Sequence, residues 1–145
     1  RILDNSHRDL RRARAAAKSI IPTTTGAAKA IGKIFPNLNG KLEGIGIRVP
    51  VLNGSLTDII CVVENPTTIE ALNAALLHAS STEMKSIMSY TDDPIVSNDI
   101  IGNTNSCIID AGLTTVKDNT VRVVGWYDNE FGYSNRLIDL VNKIS

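Results

Sequence analysis

From Ser86 to Tyr127 the chain is written in short apolar runs, "SIMSY", "SCIIDA", "GLTTVK" and "TVRVVGWY", set apart by turn-forming residues. No other feature limits the fold as much. Such runs, rich in Ile, Val, Thr and aromatics, read as strands. Asp118–Asn119 in "VKDNTV" supplies a tight hairpin turn between two of them. Earlier, "GIGIRVP" alternates, placing Ile45, Ile47 and Val49 on one packed face and Gly44, Gly46 and Arg48 on the other. "SLTDIICVVE" reads as a second, more buried strand. Strands joined mostly by short turns predict an α+β fold: a mixed, largely antiparallel sheet with helices on one face. The order is not an alternating βαβ pattern, and no G-x-G-x-x-G occurs.

Three segments read as helices. "NPTTIEALNAALLHAS" carries a capping box from Thr67 to Glu70 and a stripe of Ile69, Leu72, Leu76 and Ala79. "IIPTTTGAAKAIGKIF" predicts a short helix starting near Thr24–Gly26, weakened by Gly32 and stopped by Pro36. The chain ends in a helix with Tyr133, Leu137, Leu140, Val141 and Ile144 on one side. Arg8 to Lys18 has the propensity for a helix but no apolar stripe to bury.

A length of 145 residues fits one domain, and 43% apolar with 21% charged residues is a globular composition. No apolar run reaches the length of a membrane span and no signal peptide opens the chain, so a soluble, cytoplasmic protein is expected. Arg1 is not an initiator Met, and the chain opens among polar and charged residues, as a fragment or processed product would. Net charge is zero but lopsided: residues 1–41 hold nine Lys/Arg against two Asp, and residues 42–145 hold six against thirteen acids. The basic arm "HRDLRRARAAAK" suits a polyanion, from nucleic acid to a phosphorylated metabolite. No aromatic is interleaved with its arginines, so a stacking platform for single strands is missing.

Cys61 and Cys107 sit in apolar runs and read as buried, reduced thiols. His7 and His78 have no ligand-spaced partner, and no metal motif is present. Thr25–Gly26 opens a predicted helix, where unpaired N–H groups favour an anion, although plain capping explains the same residues. Arg48 ends its strand on the glycine face and offers either a fork to phosphate or an ion pair to a neighbouring strand. "GWYDNEFGYSNR" gathers four of the six aromatic residues, Trp126, Tyr127, Phe131 and Tyr133, among carboxylates and amides. That mixture suits neither a core strand nor a solvated loop.

"IIPTTTGAAKAIGKIFPNLNGKL", "GIGIRVP", "SYTDDPIVSNDIIGNTNS" and "WYDNEFGYSNR" together resemble the glyceraldehyde-3-phosphate dehydrogenase family, in the order that family shows them. The resemblance spans essentially all 145 residues and is to the C-terminal catalytic domain. It implies one domain over residues 1–145, beginning with a basic loop segment over 1–20. It also implies that the dinucleotide-binding domain, the catalytic Cys and its His base precede Arg1, so no catalytic residue lies in this chain and the chain alone is inactive. By resemblance, Thr25 and Gly26 bind the attacking inorganic phosphate, and Arg48 lies between the two phosphate positions. Asn129 holds the nicotinamide carboxamide, with Tyr133 packed nearby. The implied cofactor is NAD, with NADP open because the adenosine-side contacts lie elsewhere. The implied partners are glyceraldehyde 3-phosphate, inorganic phosphate and three further copies in a homotetramer, with no membrane and no nucleic acid. For Arg8 to Lys18 the resemblance implies a mostly irregular loop near a neighbouring subunit's cofactor. Gly54 stands where the family usually has a bulkier apolar residue, a departure expected to touch packing and not the sites. Erythrose-4-phosphate dehydrogenase is the near alternative; a polyanion-binding fragment and an inactive structural remnant are the distant ones.

Overall fold

The structure, a computed structural model, describes residues 2–145; Arg1, the first residue of the basic segment, lies outside them. Two compact units divide the chain, one ending at Leu52 and one running from Asn53 to Ser145. Each is built differently.

In the first unit the arginine-rich segment forms two short 3-10 turns, Leu10–Ala13 and Ala16–Lys18, within otherwise irregular chain. Helix propensity loses here for want of an apolar face to bury. Asp9 caps the first turn by accepting from Arg11 N at 3.0 Å, and Asp4 accepts from Ala15 N at 2.7 Å. Strand β1 (Ile21–Thr24) pairs antiparallel with β2 (Ile45–Arg48), with Ile21 opposite Arg48 and Thr24 opposite Ile45. The strand at β1 was hidden by Pro22, which a two-stranded ribbon tolerates because each strand has a free edge. Helix α1 (Ala27–Ile34) follows, and the chain leaves it at Phe35, just before Pro36. Gly32 is not merely a weak helix former: a Cβ there would come within 3.3 Å of Asn39 Oδ1 and 3.4 Å of its Cα. The expected packed face of β2 is exposed, Ile45 and Ile47 being 70% and 57% accessible.

The second unit holds β3 (Ser55–Val62), α2 (Ile69–Ser81), β4 (Met88–Thr91), β5 (Cys107–Asp110), β6 (Thr115–Lys117), β7 (Thr120–Tyr127) and α3 (Phe131–Ile144). Their sheet runs β3-β7-β5-β4, with β6 also paired to β7; every pairing is antiparallel except β4 with β5. With three helices among the described residues, the fold is mixed α and β around a mostly antiparallel sheet. The hairpin between β6 and β7 turns at Asp118–Asn119, Asp118 taking a φ of 55°. Strand β7 is the spine of the sheet. One edge pairs with β3 along its whole length, and the other is shared by β6 and β5.

The core is Ile100, Ile108, Ile109, Ala111, Val121 and Val124. Helix α2 is capped one residue later than expected: Thr68, not Thr67, accepts from Ala71 N at 3.1 Å. Strand β3 is exposed from Leu56 to Val62, because it forms the edge of the described sheet. Its apolar run marked a strand correctly but overstated its burial. Cys61 is exposed for the same reason, while Cys107 is half-buried; both are free thiols.

Candidate functional site

On the ribbon of the first unit, strand alternation and register put Ile21, Thr23, Gly46 and Arg48 on one face. Thr25 continues that row: a Cβ on Gly44 would meet Thr25 Cγ2 at 3.8 Å, and one on Gly46 would meet Thr23 Cγ2 at 3.2 Å. The glycines therefore clear the space into which the threonines lean. Thr25 Oγ1 accepts from Ala27 N at 3.2 Å, which caps the first turn of α1 and leaves its own O–H free to donate outward. A Cβ on Gly26 would meet nothing within 4 Å, so the backbone at the start of α1 is open to approach. Capping and anion access are compatible here.

Arg48 is exposed and makes no ion pair among the described residues. Arg122 shows what the ion-pair alternative looks like: its guanidinium forks onto Asp58 of β3 with two bonds of 2.8 Å. That fork holds the Asp58 carboxyl below the usual carboxylate range. Arg48 and Thr25 lie on one face but not in contact. Thr25 lies four residue steps beyond Ile21, the partner of Arg48, roughly 13 Å of backbone at the usual strand rise. The residue between them was missed in the sequence. Arg12 donates from Nε to Thr23 Oγ1 at 2.6 Å, bringing a second guanidinium to the middle of that face. Its loop has no periodicity, so only a long-range pairing reveals it.

In the second unit β7 ends at Tyr127 and the chain turns through Asp128, Asn129 and Glu130 into α3. Trp126 donates its indole N–H to the buried Asp110 at 2.9 Å, pairing the polar end of a half-buried ring. Asp128 is entirely buried and accepts four bonds: from Gly102 N (2.9 Å) and Asn53 Nδ2 (3.1 Å) at Oδ2, and from Glu130 N (2.9 Å) and Phe131 N (3.0 Å) at Oδ1. The Gly102 amide first, then those of Phe131 and Glu130 and the Asn53 amide, stabilise the charged form against burial and lower its pKa from 3.8 to about 2. Asn129 stands exposed beside this turn, its Oδ1 accepting from Ser55 Oγ at 3.3 Å. Tyr133 lies one helical turn on, 67% accessible. Both side chains are exposed, Asn129 in the turn and Tyr133 in the first turn of α3. Asp128 went unnoticed in the sequence although an Asp three residues before the first aromatic of a helix is a capping signal.

The thiols are poorly placed for nucleophilic work. Burial pushes the Cys107 thiol up, away from the reactive thiolate, and a Cβ on Gly125 would come within 2.5 Å of its sulfur. Cys61 projects from the exposed edge strand. No helix of the described residues is long and apolar enough to cross a membrane.

The family described as glyceraldehyde 3-phosphate dehydrogenase, C-terminal domain, matches residues 1–129. Glyceraldehyde-3-phosphate dehydrogenase of Thermotoga maritima is 59% identical over 145 residues, covering 99% of this chain and 44% of that protein. Glyceraldehyde-3-phosphate dehydrogenase 2 of Streptomyces avermitilis is 55% identical over 141 residues, covering 97% and 42%. The enzyme of Mycobacterium avium is 56% identical over 138 residues, covering 95% and 41%. The chain spans about two-fifths of the length of these relatives.

Proposed function

The chain belongs to the glyceraldehyde-3-phosphate dehydrogenase family through its C-terminal domain, and we propose that it supplies the phosphate-binding face and part of the nicotinamide-binding wall of a phosphorylating aldehyde dehydrogenase. The observation that carries this reading is the ribbon face on which Thr25, Gly26, Arg12 and Arg48 are gathered around glycines, with Arg48 unpaired among the described residues. Two guanidiniums, a hydroxyl and open backbone amides form a donor set suited to phosphate; Arg12 also has the Asp9 carboxylate 4.0 Å from its Nε, which leaves Arg48 as the cation without an ion-pair partner among the described residues.

In this reading Thr25 and Gly26 receive the attacking inorganic phosphate, and Arg48 stands between that site and the one for the phosphate of glyceraldehyde 3-phosphate. Holding both anions fixes the distance over which phosphate must reach the acyl carbon, an orientational contribution to the rate. The exposed Asn129 amide fits a carboxamide, since it offers one acceptor and two donors on the same plane. NAD, when bound, supplies the hydride acceptor. Asn129 orients its carboxamide and Tyr133 packs beside it. The nucleophile is neither Cys61 nor Cys107, so residues 1–145 alone are expected to turn over no aldehyde. Dehydrogenase activity in a pure sample of them would overturn that point. The exposed apolar row of β3, Leu56, Ile60 and Val62, supports assembly of the complete protein into a homotetramer.

The test is Arg48→Ala in the complete enzyme. Losing a charged hydrogen-bond donor to phosphate is expected to reduce phosphate-dependent turnover about a hundredfold while leaving the thermal midpoint unchanged. Unaltered phosphate dependence would remove the assignment.

A further inference from the structure

Asn129 is exposed, and an exposed amide on a turn is free to rotate and to present either its oxygen or its nitrogen. Here two features remove that freedom. Ser55, the first residue of β3, holds Asn129 Oδ1 at 3.3 Å, so the hydroxyl is the donor and Nδ2 is the end left over. Asp128, with its four acceptor bonds, holds the backbone on either side of Asn129. Its Oδ1 fixes the two amides that follow, at Glu130 and Phe131, and its Oδ2 fastens the turn to Gly102 and Asn53. Gly102 lies two residues beyond Ile100, which is 1% accessible and anchors that loop in the core.

Gly54 joins these two supports. It sits between Asn53, which reaches Asp128, and Ser55, which reaches Asn129, at a φ of +89° that side-chain-bearing residues rarely adopt. A Cβ there would approach Ser97 O at 3.0 Å and Ile100 Cδ1 at 3.1 Å. The departure expected to affect packing alone therefore lies in the backbone that delivers both contacts to the site.

We infer that Ser55 and Asp128 are positioning residues for Asn129: Ser55 sets the amide so that Nδ2 faces the nicotinamide and donates to its carboxamide oxygen, and Asp128 fixes the turn that carries it. This rests on the reading of Asn129 as the carboxamide ligand, and it adds which end of that ligand does the reading. The depressed pKa of Asp128 keeps it an ionised, purely accepting group across neutral pH, as four donors require.

The experiment uses the complete enzyme with NAD and with its thionicotinamide analogue, whose sulfur accepts hydrogen bonds poorly. Ser55→Ala is expected to raise the cofactor KM about fivefold, the worth of one ordinary hydrogen bond, without moving the aldehyde KM. Ser55→Thr, which keeps the hydroxyl, restores the cofactor KM. With the thionicotinamide analogue the effect of Ser55→Ala shrinks, and on an Asn129→Ala background it vanishes. Asp128→Asn, which places a donor among four donors, raises the cofactor KM in the same background-dependent way. If Asn129→Ala raises the cofactor KM but Ser55→Ala does not, or does so equally without Asn129, the positioning role is wrong and the carboxamide reading stands. If Asn129→Ala leaves the cofactor KM unchanged, the carboxamide reading fails and takes the inference with it.

Discussion

In residues 53–145 the aliphatic side chains of Ile100, Ile108, Ile109, Val121 and Val124 are withdrawn from water, and β7 is flanked by strands on both edges. Among the described residues of 2–52 the buried aliphatic side chain is Ile21, and Ile45, Ile47 and Ile34 stand exposed around a two-stranded ribbon. The two regions carry their proposed site residues accordingly. Asn129 rises from a turn whose carboxylate is locked to a core loop, a rigid mount for a group that must present one atom. Thr25 and Arg48 project from an exposed ribbon cleared by glycines, where backbone and guanidinium reach an anion with little side-chain bulk in the way. On the proposed reading, directional recognition falls to packed structure and charge recognition to an open surface.

Three substitutions test that contrast, taken from the strongest effect downward. Ile100→Ala empties a fully packed position and leaves Gly102 without its anchor; it should cost about 2–5 kcal/mol, read from urea unfolding. A cost near zero would mean that the loop beneath Asp128 is not held by the core. Asp128→Asn should change how stability depends on acid. The folded-state pKa lies below the unfolded value, so the carboxylate's contribution is fully present above the unfolded pKa and is lost as pH falls from about 3.8 toward 2. The unsubstituted protein should therefore lose stability more steeply across that window than the Asn variant, measured as the unfolding midpoint at each pH. Parallel slopes would show the four bonds to be energetically idle. Ile47→Ser on the ribbon should be the mildest, within about 0.5 kcal/mol in residues 1–145 alone, because the side chain is already exposed. A larger cost in the complete protein would show that another surface covers this ribbon there.

Local signals were the readable ones. The strand runs, the Asp118–Asn119 hairpin, the helix stopped at Pro36 and the terminal helix all stand where short-range chemistry placed them. Burial was less legible. The apolar runs of β2 and β3 promised packed faces, yet both are exposed, since hydropathy records what a segment needs and not which surface meets it. Of the proposed site, Thr25, Gly26, Arg48, Asn129 and Tyr133 could be named from motifs. Arg12 and Ser55 could not, because their meaning depends on partners 11 and 74 positions away along the chain; Asp128 had a local capping signal, but its bond to Asn53 spans 75 positions.

The sequence by itself determined the class of fold, most of its strands and helices though not β1, and the family, because strand period, caps and turn residues act over a few neighbours. Only the tertiary structure decided that Gly46 faces Thr23, that Arg12 reaches that face, and that Asp128 and Ser55 hold Asn129 from two sides. Those facts are set by strand register and by which buried donors meet a carboxylate, and both are settled only when distant segments compete for the same space.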